Sequence, residues 1–120
     1  MTKITILYPN HKGSRFDLNY YIETHMPMSL SLLSTHPGFR GCSVERGLGS
    51  GEPGIGAAYI ALCHFLFESF EAFWAAFIPH AAVLQSDRAN YTDITPVIQI
   101  SEVLILREYR TPCDLKPRKP

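Results

Sequence analysis

The segment Ala57–Phe67, AAYIALCHFLF, restricts what this chain can fold into more than any other stretch. As a strand it sends Tyr59, Ala61, Cys63, Phe65 and Phe67 to one side, and Ala58, Ile60, Leu62, His64 and Leu66 to the other. Both sides are largely apolar. The 120 residues suffice for one compact domain, and the rest of the chain offers two helical regions, enough to cover one face of a small sheet. Monomers rarely leave a broad apolar face in water, so a second copy of the sheet is expected to cover the other one.

The elements follow from local signals. Ile4 to Tyr8 is a first strand, bounded by Pro9-Asn10. Asp17 is a suitable N-cap for a helix that starts near Leu18 and runs to about His25. Pro27 removes an N–H and collides with the Glu23 carbonyl, so the helix is expected to kink or restart there, with Met26 pushed towards an extended conformation. Met28 to Ser34 is a second helical piece, closed by His36-Pro37-Gly38. Phe39 to Leu48 is a second strand, the glycine-rich run from Gly49 to Gly56 is a connection, and Ala57 to Phe67 is the third strand. Ser69 caps a helix in which Phe70, Phe73, Trp74 and Phe77 recur at i, i+3, i+4 and i+7. Pro79 interrupts it, Ala81 to Leu84 continues it, and Asn90 to Pro96 is a loop. Val97 to Tyr109 is expected as a long fourth strand. The order β-α-β-β-α-β is that of an α+β, ferredoxin-like fold, a four-stranded antiparallel sheet with its helices on one face. One domain over 1–109 is followed by a basic, Pro-rich tail, 110–120, expected to be loose or to lie across a neighbouring subunit.

Composition removes several function classes. A formal net charge of +0 is a poor basis for binding nucleic acid, and it does little to keep copies of the chain apart. No apolar run is long enough to span a membrane, and the N-terminus reads as a strand, not a signal peptide. Cys42, Cys63 and Cys113 are scattered, without a Cys-x-x-Cys pair, which suits a reducing cytoplasm. The five histidines show no ligand spacing, so neither a metal nor any other cofactor is expected. The loop GLGSGEPGIG lacks the Lys-Ser/Thr ending of a phosphate loop and leads into a strand instead of a helix.

The candidate chemistry centres on YYIETHMPMS, Tyr20 to Ser29. Tyr21 and His25 are four residues apart and share one face of a helix. A histidine, with its ordinary pKa of about 6.5, can accept or donate a proton near neutrality. Tyr21 can orient the imidazole or hold a substrate oxygen. The competing role for His25 is to cap the interrupted helix by bonding a freed carbonyl such as that of Glu23. Five further residues are candidates for substrate binding. His64 is a core or interface histidine unless it faces the helices, where it would approach His25. Asp93 offers a carboxylate at the end of the sheet, or bonds backbone N–H groups in a turn. Gln99 lines a pocket or faces solvent. Phe73 and Trp74 belong to the core and can also form one wall of an apolar pocket.

Together these stretches resemble the EthD family of the dimeric α+β barrel superfamily. ITILYPN followed by FDLNYYIETHMPM is similar to the family's opening strand and its Tyr-x-x-x-His-x-Pro helix, here Tyr21, His25 and Pro27. FESFEAFWAAF resembles the entry to its second helix, and NYTDITPVIQISEVL its last loop and strand, with Tyr91, Thr92, Asp93, Pro96 and Gln99. The likeness runs to about Val103. It implies a small cytoplasmic homodimer. The family is named for an association with alkyl ether degradation beside a cytochrome P450 system, and related barrels include cofactor-free monooxygenases, polyketide cyclases, dehydratases and haem-handling proteins. In fungal tailoring enzymes with such domains the motif histidine is treated as catalytic. Two functions stay open. One is an enzyme using His25 as acid and base on a hydrophobic, oxygenated small molecule. The other is a binding or accessory protein that carries such a molecule for a separate oxygenase.

Overall fold

A computed structural model describes residues 1–108. Four strands, β1 (Thr2–Pro9), β2 (Phe39–Arg46), β3 (Tyr59–Phe67) and β4 (Val97–Glu102), form one sheet in the order β2-β3-β1-β4. Every neighbouring pair is antiparallel, with β3 inserted between β1 and β2 as in a split β-α-β unit. This is the ferredoxin-like α+β arrangement that the element order implies. β4 is shorter than expected. The chain leaves the sheet after Glu102, where the Val103 N–H bonds the carbonyl of Met1, the residue before β1. Tyr109 and the 110–120 tail lie outside the described residues.

The first helical region differs instructively from expectation. Asp17 caps α1 (Leu18–Tyr20), its carboxylate accepting from the Tyr20 N–H at 3.1 Å. The chain then passes without a break through a π-helical turn, Tyr21–His25, into α2 (Met26–Leu33). Met26 is fully helical, at φ −68° and ψ −41°, not extended. In a regular α-helix the Pro27 ring would meet the Glu23 carbonyl. Here the turn ahead of it is wider, with the Met26 N–H reaching back to Tyr21, and Pro27 sits at the start of α2 where its missing N–H does no harm.

The second region is α3 (Phe70–Phe77), capped by Ser69, then a 3₁₀ turn at Ile78–His80, α4 (Ala81–Asp87) and a 3₁₀ turn at Arg88–Asn90. Both regions pack on one face of the sheet. Ile4, Tyr8, Ala61, Cys63, Phe65 and Phe67 are buried beneath them, together with Tyr21, Leu33, Phe73, Ala76 and Leu84. Burying each large side chain of this kind contributes about 1.5–3 kcal/mol.

The helix layer stops short of β4. Ile98 and Ile100 pair with Ile6 and Ile4 and lie on the helix side, yet they remain 60% and 43% exposed. On the opposite face, a row of directly paired polar residues crosses the sheet: Ser43, His64, Thr5 and Gln99. The row beside it, Glu45, Leu62, Leu7 and Val97, is mostly apolar.

The β2–β3 connection depends on Gly47, whose N–H bonds the Ile60 carbonyl at 3.0 Å. A Cβ at Gly47 would run into the Tyr59 carbonyl oxygen and come within 2.8 Å of the Ala57 Cβ. Gly47→Ala is therefore expected to cost about 1–3 kcal/mol, read as a lower urea midpoint with an unchanged slope. An unchanged midpoint would mean that the hairpin end shifts freely.

Candidate functional site

Between the helices and the sheet lies a cavity of about 130 Å³. An engineered apolar cavity of about 150 Å³ holds benzene, so the space suits one ring or a branched alkyl group. Its apolar wall includes Ile6, Leu33, Phe65, Phe73, Phe77 and Leu84, and His25, Ser29, Gln85, Arg88, Tyr8 and Tyr91 also line it.

His25 is buried at the end of the π turn. Its Nδ1 lies 2.8 Å from Asp87 Oδ2 at the end of α4. Asp87 also accepts from the Tyr20 hydroxyl at 2.7 Å and the Asn90 amide at 3.0 Å. Burial pushes its carboxyl up, but the hydrogen bonds from Tyr20, Asn90 and His25 outweigh that and hold it below the usual carboxylate range. An ionised carboxylate only accepts, so His25 Nδ1–H donates. The basic lone pair is then on Nε2; the imidazole's hydrogen bond among the described residues is made at Nδ1. The ring is clamped by aromatic neighbours, Tyr21 at 5.7 Å and nearly parallel, and Tyr91 at 4.6 Å. The Ser29 hydroxyl bonds the His25 carbonyl at 3.0 Å. His25 is thus not the cap of a broken helix. It is oriented by a carboxylate and lines a cavity.

The other candidates separate clearly. Phe73 forms part of the wall. Tyr21 supports the His25 ring but does not line the cavity. Burial drives its phenol strongly upward, with Cys63, Tyr8 and Tyr91 adding to the rise. Trp74 corrects the expected wall: it is 50% exposed and stacks on Phe70, because Phe73 and Ala76 centre the buried face of α3 and Trp74 falls on its flank. His64 lies on the opposite face of the sheet, where strand alternation puts it, bonded to Thr5 Oγ1 at 3.0 Å and Glu45 Oε1 at 2.9 Å. Gln99 is on that same far face, bonded to Ser101 at 3.3 Å. Asp93 accepts from the Arg15 backbone N–H at 2.9 Å, the turn role that competed with substrate binding.

No local sequence signal marks Asp87, Arg88 or Tyr8 as part of the site. Asp87 stands 62 positions from His25, and only the packing of α4 beside the first helical region unites them. Among the described residues, no group of three His, Cys, Asp or Glu side chains is placed to hold a metal ion. No helix among them is long and apolar enough to cross a membrane.

The Tyr8 and Tyr91 hydroxyls share a buried hydrogen bond of 2.7 Å. Burial pushes both phenols up. Replacing either tyrosine with phenylalanine should cost about 1–3 kcal/mol by stranding the other hydroxyl. The double variant should lose clearly less than the sum, and a double-mutant cycle from chemical denaturation measures this. Additive losses would show that cavity water satisfies each hydroxyl separately.

The EthD domain model matches residues 14–95. The chain belongs to the EthD family. An EthD-like protein from Ralstonia eutropha JMP134 is 42% identical over 91% of this chain and 96% of its own, with a TM-score of 0.83. An ethyl tert-butyl ether (EthD) family protein from Bacillus halodurans C-125 is 22% identical, covering 87% of this chain and 99% of its own at a TM-score of 0.65. A cofactor-independent oxygenase from Streptomyces nogalater, in a variant form, shares the fold at 14% identity and a TM-score of 0.53, covering 88% of this chain and 93% of its own. No curated protein matches the chain. The EthD match thus takes in α1, the π turn and α2, together with β2, β3, α3 and α4, and so includes both His25 and Asp87.

Proposed function

We propose that this EthD protein binds a small hydrophobic, oxygenated molecule in the cavity and moves a proton on it with His25. The observation that carries this reading is the 2.8 Å His25–Asp87 bond, which leaves Nε2 as the base on a residue that lines the cavity. Such a carboxylate fixes the tautomer and stabilises the imidazolium formed on proton uptake. Dehydration, cyclisation and cofactor-free oxidation all begin with a proton moved beside a carbonyl or phenol, and the fold shared with the Streptomyces oxygenase is in keeping with that chemistry. The direct test is α-proton exchange. Phenylacetone in D₂O at neutral pH should lose its α-proton signals faster with the protein than in buffer, followed by NMR. Binding without exchange would favour the carrier role for a separate oxygenase.

The working unit is proposed to be a homodimer in the cytoplasm. Support comes from apolar surface left uncovered on both faces of the sheet. Ile98 and Ile100 are uncovered on β4, and Leu104 and Ile105 beyond it are 83% and 79% exposed. The far face of the sheet adds Leu7, Ile60, Leu62 and Leu66. A second copy supplies a matching surface for both regions.

A further inference from the structure

The geometry points to Arg88 as the anchor for a carboxylate on the ligand, so that the cavity takes a small ring or branched alkyl acid. This rests on the cavity being a ligand site, as proposed above, and adds the charge of what enters it. Arg88 follows α4 directly and lines the cavity. Among the described residues its side chain makes no hydrogen bond, and no carboxylate lies within 4.0 Å of it. The adjacent Asp87 does not neutralise it, because that carboxylate is turned to Tyr20, Asn90 and His25. The Arg88 charge is felt at the Tyr8 and Tyr91 hydroxyls, pulling both phenols down against the larger rise imposed by burial.

An unpaired guanidinium beside an apolar wall is half of an ion pair. Its planar fork matches a carboxylate in two parallel hydrogen bonds, and the partial shielding there makes them stronger than at an open surface. The apolar wall described above takes the hydrocarbon body. Tyr91 and His25 line the same cavity.

Benzoate and benzamide are similar in size and shape and differ in charge, so they isolate the anchor. Isothermal titration of the wild-type protein should give benzoate the tighter Kd by about tenfold or more. Arg88→Gln should abolish that preference while leaving benzamide within about twofold of wild type, and Arg88→Lys should keep part of it. Raising NaCl on the unaltered protein should weaken benzoate and spare benzamide, a readout that does not depend on how the variants fold. Equal wild-type affinities for the two probes, or an equal loss of both in Arg88→Gln, would overturn the anchor and leave the cavity reading standing. Binding of neither probe would remove the cavity reading and the anchor with it.

Discussion

His25→Ala is expected to lower protein-catalysed α-proton exchange by about a hundredfold or more while barely moving the thermal midpoint. The first part follows from the usual contribution of a positioned acid–base group, about 10² to 10⁴. The second follows from what remains after the imidazole is removed. Asp87 keeps its bonds from Tyr20 and Asn90, so no buried carboxylate is stranded. Tyr21 and Tyr91 still pack on each other, with ring centroids 4.9 Å apart. Asp87→Asn should have a smaller effect on exchange and alter its pH profile, since the amide preserves shape but no longer holds the Nδ1 proton by charge. Calorimetry and exchange measured on the same samples decide the matter. A variant that melts several degrees lower and exchanges at the wild-type rate would show that His25 is structural.

The second large effect concerns assembly. Light scattering at micromolar concentration should return about twice the 13.5 kDa chain mass, and Leu62→Lys should return the single-chain value. Leu62 stands on the far face in the same cross-strand row as Glu45. In a lone protomer the new ammonium has water and that carboxylate nearby, so the variant should remain folded by circular dichroism. In a face-to-face dimer it would be buried against the partner sheet, where an unpaired charge is strongly unfavourable. An unaltered chain that runs at 13.5 kDa, or a Leu62→Lys variant that keeps the doubled mass, would remove the case for this interface.

The fold was legible because each element carries its own local signal. Asp17 and Ser69 cap the helices that their spacing suggests, and alternation in β3 assigns Cys63 and Phe65 to the core. The same alternation places His64 on the face away from the helices, but only once the sheet is known to have helices on the Cys63 side. The site was half legible. His25 stands out through its motif, whereas Asp87 is one acidic residue near the end of a short helix, and nothing in the intervening residues signals its partner. Trp74 shows the limit of periodicity. A spacing of i, i+3, i+4, i+7 marks a broad stripe, and the tilt of the helix on the sheet decides which edge of it is buried. The break expected at Pro27 assumes regular α-helical geometry ahead of it, and the π turn there removes the clash.

That departure has a consequence for how this segment tolerates changes in length. A π turn is what a helix becomes when it accommodates one surplus residue. Losing a single position between Tyr21 and His25 would therefore let the turn close to an ordinary α-helix with the residues after it still in phase, but the Pro27 ring would then meet the carbonyl four residues before it. Ser29 and Leu33 would stay on the buried face, and the strain would fall on the start of α2. A further residue added ahead of Pro27, by contrast, would find the wide turn already used and would rotate α2 by about 100°. Its residue count is therefore as much a part of the site as the histidine it carries.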